Sequence, residues 1–337
     1  MFLYPVTAYG ADYEKQIDDI KEEYNIEIIT EDSVNHLYEF TVDIVKKHTS
    51  QPISLFFKIS AIIMLYSLAD ILVGDSRSLN VMNNICTLTV FTTLISPLKN
   101  ILTAVSEKLL TVNNFMTTFL PVFAGINLAS GEFSTAVLYN GFFLVAVSAV
   151  SQLCLHIIIP SVRIYFSIIV SDSLSAYIKL KSLADFYIKA VKALMKIMVS
   201  AICFFLTLQT IIGQGRDTLA VKTGKIIAGN AIPVIGSALQ DAIAGVYAAM
   251  ESIKGYAGAV GMSGVIMIFI PTIRLLAVYW LFSQILCIIC DISGAQTIYK
   301  CMYGFLQITE LLLAVVFLYS VMLIFSITIM IALTNGV

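Results

Sequence analysis

From residue 51 onward this chain is a succession of apolar runs without a charge. Residues 78–98, 109–131, 133–162, 197–215, 255–273 and 311–337 contain no Asp, Glu, Lys or Arg. A helix needs about 20 residues to cross a hydrocarbon core of about 30 Å, and each run reaches or approaches that length. Charged residues make up 12% of the chain, against about 25% in a soluble domain. The runs therefore predict an all-α, polytopic helical membrane protein with about 7–10 membrane helices. Candidate spans cover 53–73, 79–98, 112–129, 136–158, 194–213, 256–273, 275–291 and 305–333, with weaker patterns at 162–178 and 227–248.

The net charge of −2 hides an asymmetry. Residues 12–47 carry eleven acids and four bases, so an acidic head precedes a mildly basic membrane body. Ile17, Ile20 and Tyr24, then Val34, Leu37 and Val42, give the head some helical amphipathicity. Residues 12–50 are thus expected to form a short extramembrane helical segment. Residues 1–11 end in Ala8-Tyr9-Gly10-Ala11, small residues of the kind found at a signal cleavage site. They lack the basic start and full apolar stretch of a signal peptide. They read either as the remnant of a signal peptide that starts upstream or as an unstructured terminus. If the first holds, the acidic head is extracytoplasmic.

The segment 171–196 sets Lys179, Lys181, Lys189, Lys192 and Lys196 among Leu, Ile, Tyr and Phe. It reads as an interfacial amphipathic helix rather than a span. Nothing in the composition points to nucleic acid.

The membrane part, 51–337, also repeats itself. Leu120-Pro121-Val122 matches Ile232-Pro233-Val234, and Ile159-Pro160-Ser161-Val162-Arg163 matches Ile270-Pro271-Thr272-Ile273-Arg274, with Lys189 and Lys300 on nearly the same offset. These collinear anchors predict an internal duplication, with units at about 79–193 and 194–333. Repeated membrane halves pack around a pseudo-twofold axis, with any pathway at their interface. Pro121, Pro160, Pro233 and Pro271 are expected helix breaks. Arg163 and Arg274 are expected at the membrane edge, capping helix carbonyls or anchoring in head groups.

Motifs that would carry chemistry fail on context. Gly261-Met262-Ser263-Gly264 is the G-x-S-G of intramembrane serine proteases, but no histidine follows residue 156 to act as base. Small-residue helix packing is the better reading. Gly74-Asp75 has no second intramembrane aspartate, and no G-x-x-x-x-G-K-[ST] is present. Cys287-Ile-Ile-Cys290 has redox spacing but lies in apolar sequence, as do the other four cysteines. Buried small hydrophobes explain them better. Only His36, His48 and His156 are available as imidazole ligands. No catalytic residue, metal site or cofactor is expected.

The segment 209–241 interrupts the apolar pattern with glycines, Pro233 and the polar residues Gln214, Arg216, Lys222, Asn230 and Asp241. Gly and Pro free backbone groups that, at membrane depth, must be buried in protein or face water. The segment reads as a broken or re-entrant helix near Asn230–Gly236, or as a loop followed by a surface helix. Gln214, Lys222, Asn230 and Asp241 are the candidates for lining a pathway or contacting a partner. Lys58, seven residues into its span, can snorkel.

Over this segment the chain resembles the stage III sporulation protein AE family. The resemblance is carried by Leu208-Gln209-Thr210-Ile211-Ile212-Gly213-Gln214-Gly215, Asp217-Thr218-Leu219-Ala220-Val221-Lys222-Thr223 and Ile232-Pro233-Val234-Ile235-Gly236-Ser237-Ala238-Leu239-Gln240-Asp241-Ala242. The closing run Phe325–Leu333 and the acidic head are similar too. The resemblance implies a non-enzymatic membrane subunit of the channel complex joining mother cell and forespore, in the outer forespore membrane. It implies other stage III complex proteins and an ATPase subunit as partners, besides the lipid bilayer. The duplication alone suggests instead a secondary transporter of a small solute.

Overall fold

The structure is a computed structural model and describes residues 4–26, 50–72, 76–129, 133–174, 180–213 and 236–334. These residues form helices and no strand. The helices are α1 (Tyr4–Glu23), α2 (Ser50–Leu72), α3 (Ser76–Ala129), α4 (Phe133–Leu153), α5 (Ile159–Leu174), α6 (Lys181–Gly213), α7 (Gly236–Ile292) and α8 (Gln296–Thr334). A π-helical turn, Cys154–Ile158, joins α4 to α5 without interruption. Among the described residues, five stretches are long and apolar enough to cross a membrane: Gln51–Leu72, Val81–Leu128, Phe143–Leu174, Ser252–Ile292 and Gln296–Ile331. The chain is an all-α polytopic membrane protein.

The helices are longer than the expected spans because expected neighbours are fused. The spans at 79–98 and 112–129 both lie in α3, 54 residues long. Those at 256–273 and 275–291 both lie in α7, 57 residues long. At 1.5 Å per residue each helix is about 80 Å or more in length. The amphipathic segment 171–196 and the span 194–213 are likewise not separate. α6 begins at Lys181 and carries residues 181–196 of the first together with the second, while residues 171–174 close α5; it buries Ala184, Ile188, Val191, Met198 and Ile202 on one face and leaves Lys189, Lys192 and Lys196 exposed.

The expected proline breaks need the same correction. Pro121 lies inside α3, as does Pro97, and Pro271 lies inside α7. Pro160 is the second residue of α5, just past the π-turn, where the N–H of Ile159 bonds the carbonyl of Cys154 five residues back. A proline removes one backbone hydrogen bond and costs a helix about 3 kcal/mol. Here long buried stripes hold the helix on both sides. In α3 the stripe runs through Val90, Leu94, Leu98, Ile101, Val105, Leu109, Val112, Met116, Phe119, Phe123 and Ile126. Its steps of three and four residues keep the 3.6-residue period of a straight helix across both prolines. Pro233 lies outside the described residues.

α8 is the hub, packing on α3, α4, α5, α6 and α7. Its hairpin with α7 closes through Ser293-Gly294-Ala295. Gly294 has φ +70°, its N–H bonds the carbonyl of Asp291, and the N–H of Ala295 bonds that of Cys290. That is the Schellman pattern with its left-handed residue at C′. The end of α1 repeats it. Asn25 has φ 49°, Asn25 N–H bonds Glu22 and Ile26 N–H bonds Lys21.

The remaining pairings fix the register of the bundle. α7 and α8 run antiparallel, with Phe269 against Tyr319 and Tyr279 against Phe305. The hydrogen bond from Tyr165 to Gln307 (2.8 Å) and the Lys300–Asp172 pair (3.8 Å) set α5 antiparallel to α8. α2 meets the first half of α3 and the second half of α7, through Asn100–Gln51 and Phe56–Phe282. α1 meets the opposite halves, through Tyr24–Phe115 and Tyr256–Asp18. α1 and α2 therefore occupy successive levels along the α3–α7 pair.

The acidic head is thus docked where its structure is described. α1 starts at Tyr4 and is continuous through residue 11, so residues 4–11 belong to the same helix as residues 12–23. It buries Ile17 and Ile20, with Ile26 just beyond its end, and keeps Asp12, Glu14, Asp18, Asp19, Glu22 and Glu23 exposed. The rest of the head, residues 27–49, lies outside the described residues.

Candidate functional site

The G-x-S-G segment of α7 shows what its small residues do. A Cβ on Gly261 would lie 2.5 Å from Cζ of Phe119 on α3. A Cβ on Gly264 would lie 2.6 Å from Cζ of Phe115 and 2.9 Å from Cδ1 of Ile26. Gly258, one turn earlier, faces Ile331 of α8 just as closely. Ser263 is buried between these contacts. The motif is a close-packing surface on which α3, α8 and the end of α1 converge. The cysteines of C-x-x-C, Cys287 and Cys290, are buried and unbridged, as is Cys301.

Buried polar contacts tie the helices at a few points. The hydroxyls of Ser151 and Tyr319 lie 2.7 Å apart, and Tyr319 also reaches the carbonyl of Val147 at 3.2 Å. Asn83 donates to Thr297 at 2.7 Å. Such bonds substitute for water that the apolar interior excludes, and each contributes about 0.5–1.5 kcal/mol. Higher on α3, the Oδ1 atoms of Asn113 and Asn127 are buried without a partner among the described residues.

Among the described residues, cavities interrupt the packing at two places of contrasting character. One, of about 470 Å³ between α4, α6 and α8, has walls of apolar side chains such as Val145, Ala149, Met198, Phe205 and Met322, and offers no chemistry. The other, of about 320 Å³, is an open polar cleft between α2, α3 and α7. Gln51, Ser54 and Lys58 come from α2, Thr93, Ser96, Pro97 and Asn100 from α3, and Tyr279 from α7. Pro97 has no N–H, so the carbonyl of Thr93, four residues back, lacks its helical donor. The Thr93 hydroxyl donates to Thr89 (2.7 Å), and Asn100 donates to Gln51 at a long 3.5 Å. Among the described residues the cleft thus carries one cation, several hydroxyl and amide groups, and no carboxylate. Sequence reading reached only Lys58 here, as a snorkelling residue. The signal it passed over was the pairing of Pro97 with Thr93 in the next helix.

The candidate pathway residues are not assembled into a site. Gln214, Lys222 and Asn230 lie outside the described residues, and Asp241 is placed only as a backbone position near the start of α7. The cationic pair is placed. Arg163 is exposed on α5. Arg274 is half-buried on α7, three residues past Pro271 as Arg163 is past Pro160. Of the repeated anchors, the two Pro-x-x-Arg segments and the two lysines lie within the described residues, and Pro233 does not. Pro160 and Arg163 sit on α5 and Lys189 on the following α6, while Pro271 and Arg274 sit on α7 and Lys300 on the following α8.

The family described as "Stage III sporulation protein AE" matches residues 12–334. A protein of Bacillus subtilis (strain 168) with that same description is 24% identical over 238 residues, covering 68% of this chain. The match spans 58% of that relative's length, so somewhat over half of it is represented. No solved structure matches. With nearly its whole length matched, this chain belongs to the stage III sporulation protein AE family.

Proposed function

We propose that the protein is a membrane-embedded, non-enzymatic subunit of the mother cell–forespore channel complex required for endospore formation, located in the outer forespore membrane. The family match over residues 12–334 carries this reading. The fold supports it, since the motif closest to a catalytic signature is spent on close helix packing at Gly261 and Gly264. Its partners are the other membrane proteins of the complex and an ATPase subunit. Gln214, Lys222, Asn230 and Asp241 are the positions through which it would contact them or line the passage. The test is co-purification of the full chain from sporulating cells. Recovery of other stage III proteins is the expected result, and recovery of none of them overturns the reading.

A second reading is a secondary transporter built on duplicated halves. It is favoured by the anchors that recur on two helix pairs, α5–α6 and α7–α8. Solute uptake by the purified protein alone, driven by an ion gradient in vesicles, would select it over the channel subunit.

A further inference from the structure

We propose that the polar cleft between α2, α3 and α7 is a binding site for the head group of an anionic phospholipid. Its position sets the argument. Below the cleft, the bundle presents apolar side chains outward: Phe57, Leu65 and Leu68 on α2, Val81 and Ile85 on α3, Ile288 on α7. From Lys58 to the end of α2 at Leu72 this belt is about 20 Å tall at 1.5 Å per residue, most of a hydrocarbon core. Above the cleft, the same α3–α7 pair is covered by α1, whose exposed carboxylates require water. At that level α3 exposes Asn114, Thr117 and Thr118 and no large apolar side chain. On this face of the bundle the cleft lies where exposed apolar side chains give way to polar ones, the depth at which a lipid phosphate would sit.

Its chemistry suits that depth. Lys58 supplies a positive charge, and Lys99 is exposed on α3 next to Asn100. Among the described residues no carboxylate lines the cleft to repel an anion. Ser54, Ser96 and Gln51 offer donors to phosphate oxygens, and the Thr93 carbonyl freed by Pro97 can accept from a head-group hydroxyl. The acyl chains of such a lipid would run down the belt along Phe57 and Leu65. A bridge of this kind would join α2 to α3 where the direct contact between them, Asn100 to Gln51, is long.

The test uses the full chain in neutral detergent with phosphatidylglycerol or phosphatidylcholine of identical acyl chains. Retained lipid is counted by native mass spectrometry. Phosphatidylglycerol is expected to bind about fivefold more tightly, the contribution of one lysine at an anionic leaflet. Lys58→Gln should abolish that preference, Lys58→Arg should keep it, and Lys192→Gln, on the exposed face of α6, should leave it unchanged. Equal retention of the two lipids overturns the proposal. So does a preference that survives Lys58→Gln, or displacement of the lipid by millimolar inorganic phosphate, which would make the cleft a site for a free anion.

Discussion

Gly261 and Gly255 stand six residues apart on α7 and make opposite predictions. A side chain on Gly261 would run into the ring of Phe119, whereas nothing lies within 4 Å of a Cβ on Gly255. Gly261→Val should destabilise the protein by about 1–3 kcal/mol, as overpacking does. Gly255→Ala should stabilise it by about 0.5–1 kcal/mol, because alanine loses less backbone freedom in a helix. Thermal unfolding of the two variants in one detergent checks both signs. Ser263 adds a functional arm. If it only packs, Ser263→Ala should leave spore formation near the wild-type level while Gly261→Val lowers it. The sequence already favoured packing for G-x-S-G, because no histidine follows it. It could not show that Phe115 and Phe119 of α3 and Ile26, just past the end of α1, fill the space.

At the scale of the element, two helix ends rest on residue types that tolerate left-handed backbone, a signal that sequence analysis did not use. Gly294 and Asn25 both hold left-handed conformations at Schellman ends. Gly294→Ala should cost about 1 kcal/mol, the price of placing a Cβ in that region, while Asn25→Gly should be close to neutral. Chemical denaturation of the two variants makes the comparison. Interior prolines were not read well. Pro97, Pro121 and Pro271 each remove one hydrogen bond, a local cost, but the buried stripe of α3 continues through its two and outweighs it. Among the described residues, the π-turn before Pro160 is the one place where a proline coincides with altered helical geometry, by shifting a bond to five residues back. The docking of α1 is the clearest element-scale surprise. Ile17 is fully buried, so Ile17→Ala should cost about 2–4 kcal/mol and loosen the helix. Faster amide hydrogen exchange across residues 12–26, with α8 unchanged, is the expected result.

At the scale of the whole molecule, α3 and α7 are each more than twice as long as one bilayer crossing requires. On the placement proposed for the polar cleft, the exposed apolar belt on α2 lies in lipid and the acidic face of α1 in water. In a chain with exposed Cys203 replaced by serine, Thr117→Cys should react with a membrane-impermeant maleimide in open membrane fragments, and Leu68→Cys should not. Equal labelling of both positions would refute that placement. The sequence by itself determined the class, because charge-free runs of about 20 residues leave a helix in lipid as the stable solution. It also determined the family, through the glycine-rich segment, and the packing role of the small residues. Only the tertiary structure decided that expected neighbouring spans are single helices and that the acidic head docks on the bundle. It alone brought Lys58, Thr93, Pro97 and Asn100 together. The physical reason is that hydropathy and proline act over a turn or two. Whether a helix continues, and whether its side meets lipid, water or another helix, depends on partners tens to hundreds of residues away.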